Sequence, residues 1–207
     1  WMSEMRTTIA GDAAPGAPGD PRPEANVGKD LDTVVDMQSI VSIFNRNPGF
    51  YNPVSYGIIG SLLLVWTLIS LRSQAVANQA WLAIAAAAAL TPLFAYHREH
   101  DTKLLLLCIP ACIGLWAARG ALGWTAMILT TTTIALNGDL TQIARIMLIE
   151  PHVSYQPGFI ANITAILFGR PAQLSLLILG VFYLLAFMRQ LMRGANADRA
   201  QIVDGES

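Results

Sequence analysis

Five apolar runs constrain the fold of this chain more than any other feature of its sequence. They cover roughly residues 54–71, 79–96, 104–118, 121–136 and 172–188. A helix that crosses the hydrocarbon core of a bilayer needs about 20 apolar residues, within a range of about 17–25. Apolar runs of about this length, the first four of them separated by short polar segments, predict an all-α polytopic membrane helix bundle with about five transmembrane helices.

The third and fourth runs are divided only by Arg119 and Gly120. They predict a tight helical hairpin in which Arg119 extends to the membrane interface. A pair of re-entrant half-helices is the alternative, because the third run is short. Pro110 lies inside that run and is expected to kink it. Four tryptophans are expected as interfacial anchors: Trp66, Trp81, Trp116 and Trp124.

Composition supports a membrane protein and gives no sign of a nucleic-acid partner. Hydrophobic residues make up 54% of the chain and charged residues 13%, whereas soluble domains carry about 25% charged residues. The net charge is -1 and there is no dense basic patch. Cys108 and Cys112 fall on one helix face, where a disulfide is geometrically poor, and we expect them to be small packing residues.

The segments outside the runs divide the chain into four parts. Residues 1–29, interrupted by prolines and without the apolar segment of a signal peptide, are predicted to be a flexible extracytoplasmic loop. Residues 30–53 predict an amphipathic helix and a turn, and residues 54–193 the transmembrane domain. Residues 194–207 predict a cytoplasmic tail without regular structure. A second surface helix is expected near Asp139–Ile149, within the transmembrane domain.

Charge predicts the orientation of the bundle. The 71–79 turn, the 119–120 turn and the C-terminal tail alternate onto one side and carry Arg72, Arg119, Arg189 and Arg193, with no acidic residue before Asp198. The positive-inside rule then places these turns in the cytoplasm and the 97–103 and 137–171 loops outside. Five spans leave the N-terminus outside with no export signal, so we expect earlier helices to precede this sequence.

The densest polar cluster follows the second run and comprises Tyr96, His97, Arg98, Glu99, His100, Asp101 and Lys103. On a helix, His97 and Asp101 share a face at i,i+4, and Arg98 and Asp101 pair at i,i+3. An arginine held by a carboxylate and flanked by histidine and lysine suits a phosphate or pyrophosphate, since the guanidinium offers a bidentate fork. Ionisable groups at a membrane edge favour a functional site. The alternative is a loop whose charges only face water.

Other polar positions carry weaker signals. His152 is expected to be a loop histidine. Asn162 begins a tripeptide that fits a glycosylation acceptor, a pattern that is common by chance and matters only in a secreted eukaryotic protein. The threonines from Thr130 to Thr133 are expected to hold helices together rather than to bind a ligand. The sequence has no glycine-rich phosphate loop and no spacing typical of metal ligands.

The polar cluster carries a resemblance to a known family. Thr91 to Arg98, with Asp101 and the leucines from Leu104 to Leu107, resembles the C-terminal half of bacterial glycosyltransferase family 87, polytopic membrane enzymes with the GT-C fold. Asp36 to Ile40, with Phe44, Tyr51 and Asn52, resembles the preceding helix and turn. The resemblance covers about residues 30–136. Members often have an aromatic residue where this chain has His100.

The resemblance implies the C-terminal part of a transferase of the bacterial cytoplasmic (inner) membrane. It implies transfer of a hexose, possibly mannose, from a polyprenyl-phosphate sugar to an extracytoplasmic lipid or glycan acceptor. The donor phosphate would contact His97, Arg98, Asp101 and Lys103, with Tyr96 and His100 against the substrate. The general base of the family lies in an earlier external loop, so no catalytic residue, metal ligand or cofactor is assigned here. The expected partners are the lipid-linked donor, membrane lipids and the missing N-terminal half.

Two other functions fit the same polar cluster. A transporter or flippase component would use it to gate a polar substrate, and predicts inverted repeats with interrupted helices, of which the sequence shows none. A non-catalytic membrane subunit would carry it as a structural feature only, so that substitutions there would change only protein abundance.

Overall fold

A computed structural model describes residues 37–45, 47–72, 76–94, 99–138, 167 and 171–205. Throughout these ranges the regular structure is helical and there is no strand. The elements are α1 (Met37–Phe44), α2 (Pro48–Arg72), α3 (Val76–Phe94), a 3₁₀ segment (Glu99–Leu107), α4 (Cys108–Ala117), α5 (Ala121–Leu136) and α6 (Pro171–Gly205). The predicted all-α class is therefore confirmed. The predicted surface helix at 139–149 lies outside the described residues.

The turn between α1 and α2 is built by two asparagines. The side-chain oxygen of Asn45 accepts a hydrogen bond from the Asn47 backbone N–H at 3.0 Å, and that of Asn47 accepts one from the Gly49 N–H at 2.9 Å. Asn47 is thus the N-cap of α2, and Pro48 occupies the first helical position, where a backbone N–H is not needed. The described part of the predicted amphipathic segment is helical as α1, which buries Met37, Ile40 and Val41 against the bundle. Residues 30–36 of that segment lie outside the described residues.

Helices α2 and α3 form an antiparallel pair. The Trp66 indole N–H donates to the Ala83 carbonyl at 2.8 Å, and the rings of Tyr56 and Phe94 meet edge to face at 5.8 Å. As the residue number falls along α2 it rises along α3. Arg72 and the start of α3 therefore lie at one end of the pair, and Pro48 and Phe94 lie toward the other.

Helix α3 is the centre of the bundle and packs closely against α6. Its alanines at 83, 85, 86, 88 and 89 are buried and let neighbouring helices approach. At Gly180 of α6 a Cβ atom would lie 2.5 Å from Cδ2 of Leu90 and 3.5 Å from Cβ of Ala89. This contact also fixes the level at which α6 passes α3, with Gly180 opposite Leu90.

The third apolar run changes helix type instead of kinking within one helix. A 3₁₀ segment ends at Leu107 and α4 begins at Cys108, which places Pro110 in the first turn of α4. The backbone N–H groups of a first turn have no partner within the helix, so the proline, which lacks an N–H, removes no hydrogen bond there. The Cys108 thiol lies 3.6 Å from the Ala85 carbonyl and holds the start of α4 against α3. In place of the kink expected at Pro110, the structure therefore has a junction between a 3₁₀ helix and an α-helix.

Helices α4 and α5 form the predicted tight hairpin. Arg119 turns the chain with a φ of 50°, and its N–H donates to the Trp116 carbonyl at 2.9 Å, as in helix C-caps that use a left-handed residue. Next to the turn, a Cβ atom on Gly123 would lie 2.5 Å from the Leu115 carbonyl oxygen. The two backbones touch here, and the rings of Trp116 and Trp124 pack edge to face at 4.4 Å.

Helix α6 runs antiparallel to α5 and closes the bundle. The Thr133 hydroxyl donates to the Ser175 carbonyl at 3.3 Å, and the Thr130 hydroxyl lies 2.7 Å from that of Tyr183. Residue numbers fall along α5 as they rise along α6. Arg189 and Arg193 consequently lie toward the same end as the Arg119 turn.

The pairings divide the bundle into two ends of different character. One end, here called the basic end, carries Arg72, Arg119, Arg189 and Arg193. The other, here called the polar end, carries the start of α2, the end of α3, the 3₁₀ segment, the end of α5 and the start of α6. The four tryptophans of the described ranges, Trp66, Trp81, Trp116 and Trp124, all lie in the half of the bundle nearer the basic end.

Two helices are long and apolar enough to cross a membrane, judged by length and composition. They are Gly49–Leu71 within α2 and Pro171–Arg193 within α6. Three further apolar helices, Gln79–Phe94, Lys103–Ala117 and Ala121–Leu136, are shorter, at 10 to 17 residues. Each of the five predicted runs is thus helical wherever the structure describes it, and two of the helices reach the length of a span.

The polar tail differs from its prediction. α6 continues as helix to Gly205, although residues 194–207 were expected to lack regular structure. Alanine, glutamine and arginine, which favour helix, recur through this part of the chain. High polarity made the segment resemble a disordered tail, whereas its helix propensity and its continuity with an apolar helix favour the helical state.

Candidate functional site at the polar end

The described residues on either side of the predicted phosphate site lie at the polar end of the bundle. Helix α3 ends at Phe94 and the 3₁₀ segment begins at Glu99, so both flanks of the predicted site lie at this end. Tyr96, His97 and Arg98 themselves lie outside the described residues. His100 and Asp101 are described only as backbone in the 3₁₀ segment, and Lys103 is exposed.

The backbone type of this segment bears on the spacing used in the prediction. Asp101 lies in a 3₁₀ helix, which has three residues per turn, so residues three apart share a face more closely than residues four apart. His100 and Lys103 are three apart in this segment. The structure describes His100 as backbone alone, and the predicted pairings of His97 and Arg98 with Asp101 stay predictions.

Asn137 joins α5 to α6 at the polar end. Its side-chain N–H₂ donates to the Thr133 carbonyl at 2.8 Å and lies 3.4 Å from the Ser175 hydroxyl. That hydroxyl in turn donates to the Ala172 carbonyl at 2.7 Å. Asn137 is 4% exposed, so these bonds are made away from water and hold the end of α5 against the first turn of α6.

Asn137, Gln173 and Ser175 were not singled out from the sequence as site residues. Asn137 and Gln173 are both buried. From the Gly180–Leu90 contact, Ser175 is about level with Phe94, because each lies about one helical turn nearer the polar end. The available signal was that polar residues border the apolar runs: Asn137 directly follows the fourth run, and Gln173 and Ser175 lie within the first five residues of α6. They support the framework that flanks the predicted phosphate site.

Deeper in the bundle, the threonines of α5 connect helices as predicted. Thr130 contacts the Tyr183 hydroxyl, and that hydroxyl lies 3.4 Å from the Cys108 carbonyl. Thr130, Thr133 and Tyr183 are all buried. The expectation that the threonine run holds helices together is confirmed for these two positions.

The cysteines also match their prediction. Cys108 is buried, Cys112 is half-buried, and both are free thiols. Cys108 packs against α3 through the Ala85 contact, as a small residue in a helix interface. Within the ranges the structure describes, no three histidine, cysteine or acidic side chains are grouped so as to hold a metal ion.

Comparison with known proteins gives no relative to assist the assignment. No protein-family model, no curated protein and no solved structure matches this chain.

Proposed function

We propose that this chain is the C-terminal part of a membrane glycosyltransferase similar to bacterial family 87, with the GT-C fold. In this proposal it moves a hexose from a polyprenyl-phosphate donor to an extracytoplasmic lipid or glycan acceptor. The observation that supports it most directly is the position of the Tyr96–Lys103 cluster in the sequence. The cluster joins the end of α3 to the 3₁₀ segment, at the polar end of a bundle with apolar walls.

The apolar walls support the membrane setting. Leu64 and Leu68 of α2 and Ile113 and Ile128 of the hairpin are exposed large hydrophobic side chains. The ranges 37–45, 47–71, 79–94, 103–138 and 171–193 contain no acidic residue. A surface so apolar suits lipid better than water, because soluble monomers rarely expose extended apolar patches. The bundle then belongs in the bacterial cytoplasmic membrane.

The two different ends support an orientation. The turns at the basic end carry arginines, which is the pattern of a cytoplasmic interface, and tryptophans lie just inside that end, as they do at either interface of a membrane. The polar end then faces outward, where a lipid-linked sugar donor is used. Arg98 would bind the donor phosphate and stabilise it as it leaves, with His97, Asp101 and Lys103 around it and Tyr96 and His100 against the substrate.

The chemical step needs a leaving phosphate and a deprotonated acceptor. The acceptor oxygen attacks the anomeric carbon, the bond to the phosphate oxygen breaks, and the acceptor proton passes to a base. The proposal assigns no residue of this chain as that base. What the chain contributes is the cationic group that holds the departing phosphate.

The test replaces Arg98 in the protein expressed in its own cell at its natural length. Arg98→Ala is expected to abolish hexose transfer from a radiolabelled polyprenyl-phosphate sugar in isolated membranes, while its abundance in the membrane stays the same. Arg98→Lys is expected to retain part of the activity, since a point charge replaces the bidentate fork. The matched control is Arg193→Ala, an exposed arginine at the basic end.

Full transfer activity in Arg98→Ala would exclude the phosphate role. A transporter or flippase component would instead show no sugar transfer in any variant but would move the lipid-linked substrate between leaflets, and Arg98→Ala would slow that movement. A non-catalytic subunit would show changes in abundance alone.

A further inference from the structure

The basic end carries a feature that the proposed transfer reaction does not use. Arg119 adopts a φ of 50°, in the left-handed region that non-glycine residues avoid, although Gly120 follows it directly. A residue held in that region costs stability, and such positions concentrate at functional sites. An arginine at the tip of this hairpin therefore needs a reason other than the turn itself.

The surroundings of Arg119 point to the headgroup layer of a membrane. The edge-to-face pair of Trp116 and Trp124 lies on either side of the turn, and both rings are partly exposed. Tryptophan rings prefer the headgroup level of a bilayer, where one part of the ring is dry and the N–H is wet. The guanidinium of Arg119, itself exposed, extends from the same turn.

A second exposed arginine lies toward the same end. Arg189 is carried by α6, which runs antiparallel to α5, so both residues approach the basic end. Between residues 103 and 138 and between residues 171 and 193 the chain has no acidic residue that would neutralise them. Guanidinium groups bind phosphate oxygens through paired hydrogen bonds.

We propose that Arg119 and Arg189, together with the Trp116–Trp124 pair, form a binding surface for the headgroups of anionic phospholipids. The tryptophans set the depth of the hairpin tip, and the arginines contact the lipid phosphates and the anionic charge of the leaflet. Charge complementarity selects this partner, since a zwitterionic headgroup offers no net charge to the two guanidinium groups. The inference rests on the membrane setting of the proposed function but not on sugar transfer.

The experiment uses the tryptophan pair as its own reporter. The chain is reconstituted in phosphatidylcholine vesicles that contain the same mole fraction of either brominated phosphatidylglycerol or brominated phosphatidylcholine, and tryptophan quenching is measured. A companion with Trp116→Phe and Trp124→Phe is subtracted, so that the difference reports only the hairpin tip. Phosphatidylglycerol is expected to be enriched around the pair by about two- to fivefold at low salt, and less at high salt.

Replacement of the arginines is expected to remove the preference. Arg119→Gln combined with Arg189→Gln should lower the enrichment to about one. Arg119→Gly is a second variant that keeps the turn, because glycine adopts a positive φ without strain, and it should lower the preference in part. Thr132→Gln is the control, because Thr132 is exposed in the part of α5 nearer the polar end and the reporters lie at the other.

Equal quenching by the two brominated lipids in the unmodified chain would overturn the inference, as would an enrichment that persists in the double arginine variant. Absence of quenching by either lipid would overturn the membrane setting and this inference with it. If the protein at its natural length transfers no hexose but the lipid preference is retained, the proposed enzyme activity is excluded and the headgroup-binding surface is still supported.

Discussion

The hydroxyl groups of Thr130 and Tyr183 lie 2.7 Å apart in the interior of the bundle. The Tyr183 hydroxyl is also 3.4 Å from the Cys108 carbonyl, which only accepts hydrogen bonds, so Tyr183 donates to that carbonyl and accepts from Thr130. One oxygen atom therefore links α4, α5 and α6. Tyr183 is fully buried, and a bond of this kind is made without competition from water.

Tyr183→Phe is expected to lower the free energy of unfolding by about 1 kcal/mol, because it removes the oxygen that links the three helices. Combined with Thr130→Val in a double-mutant cycle, it should give a coupling energy of about 0.6 kcal/mol and at most about 1.7 kcal/mol, the range for hydrogen bonds between membrane helices. Unfolding in mixed detergent measures both values. Thr125→Val is the control, since the exposed Thr125 hydroxyl donates to the Ala121 carbonyl of its own helix. Zero coupling would contradict the bond.

Gly180→Ala is expected to destabilise the bundle by about 1–3 kcal/mol, because the new methyl group would lie 2.5 Å from Cδ2 of the buried Leu90. The combination with Leu90→Ala should regain part of the loss, since it removes the side chain that the methyl group meets. Gly60→Ala is the matched control: nothing lies within 4 Å of its Cβ position, and alanine favours helix. The thermal midpoint of the solubilised protein should fall for the first variant and hold or rise for the control. Equal shifts would show that α3 and α6 do not meet at Gly180.

Gly123→Ala is expected to be the more damaging change, because the atoms that its Cβ would meet belong to the backbone. The Leu115 oxygen would lie at 2.5 Å and the Trp116 Cα atom at 2.8 Å. Neither can rotate away, so the hairpin must open and the edge-to-face contact of Trp116 with Trp124 is lost. Tryptophan emission and resistance to proteolysis both report this.

Gly114→Ala tests the same hairpin at a position where nothing lies within 4 Å of the added atom. It should leave emission and proteolysis unchanged. If Gly123→Ala behaved in the same way, the close approach of α4 and α5 would be disproved.

Much of the helical architecture was predictable from the apolar runs. The run at 121–136 coincides with α5, and the turn at Arg119 and Gly120 is where the hairpin turns. These features depend on local composition: an uninterrupted apolar run favours helix, and a polar break of two residues allows only a tight turn. The sequence also predicted that Arg72, Arg119 and Arg189 lie at one end of the bundle, since successive antiparallel helices alternate in direction.

Features that depend on packing were not predictable from the sequence. The pattern of apolar residues does not show which neighbouring helix packs against Gly180. Nor does it show that Thr130 contacts Tyr183, which lies 53 positions away in the chain. The 3₁₀ segment before Cys108 depends on how the chain leaves α3. At the candidate site the charged cluster was evident from the sequence. The role of Asn137 in joining α5 to α6 was not, because an asparagine after an apolar run is typical of any helix end.

The opposite positions of Lys103 and Arg119 predict which side of a membrane each one faces. Both are exposed, and the 3₁₀ segment and α4 that separate them extend over about 25 Å, close to the thickness of the hydrocarbon core. With Cys108→Ala and Cys112→Ala as background, Lys103→Cys should react with a membrane-impermeant maleimide in intact spheroplasts. Arg119→Cys should react only after the membrane is permeabilised. Reaction of both from outside would mean that this part of the bundle lies along the membrane surface, and the reverse pattern would place the polar end, with its predicted phosphate site, in the cytoplasm.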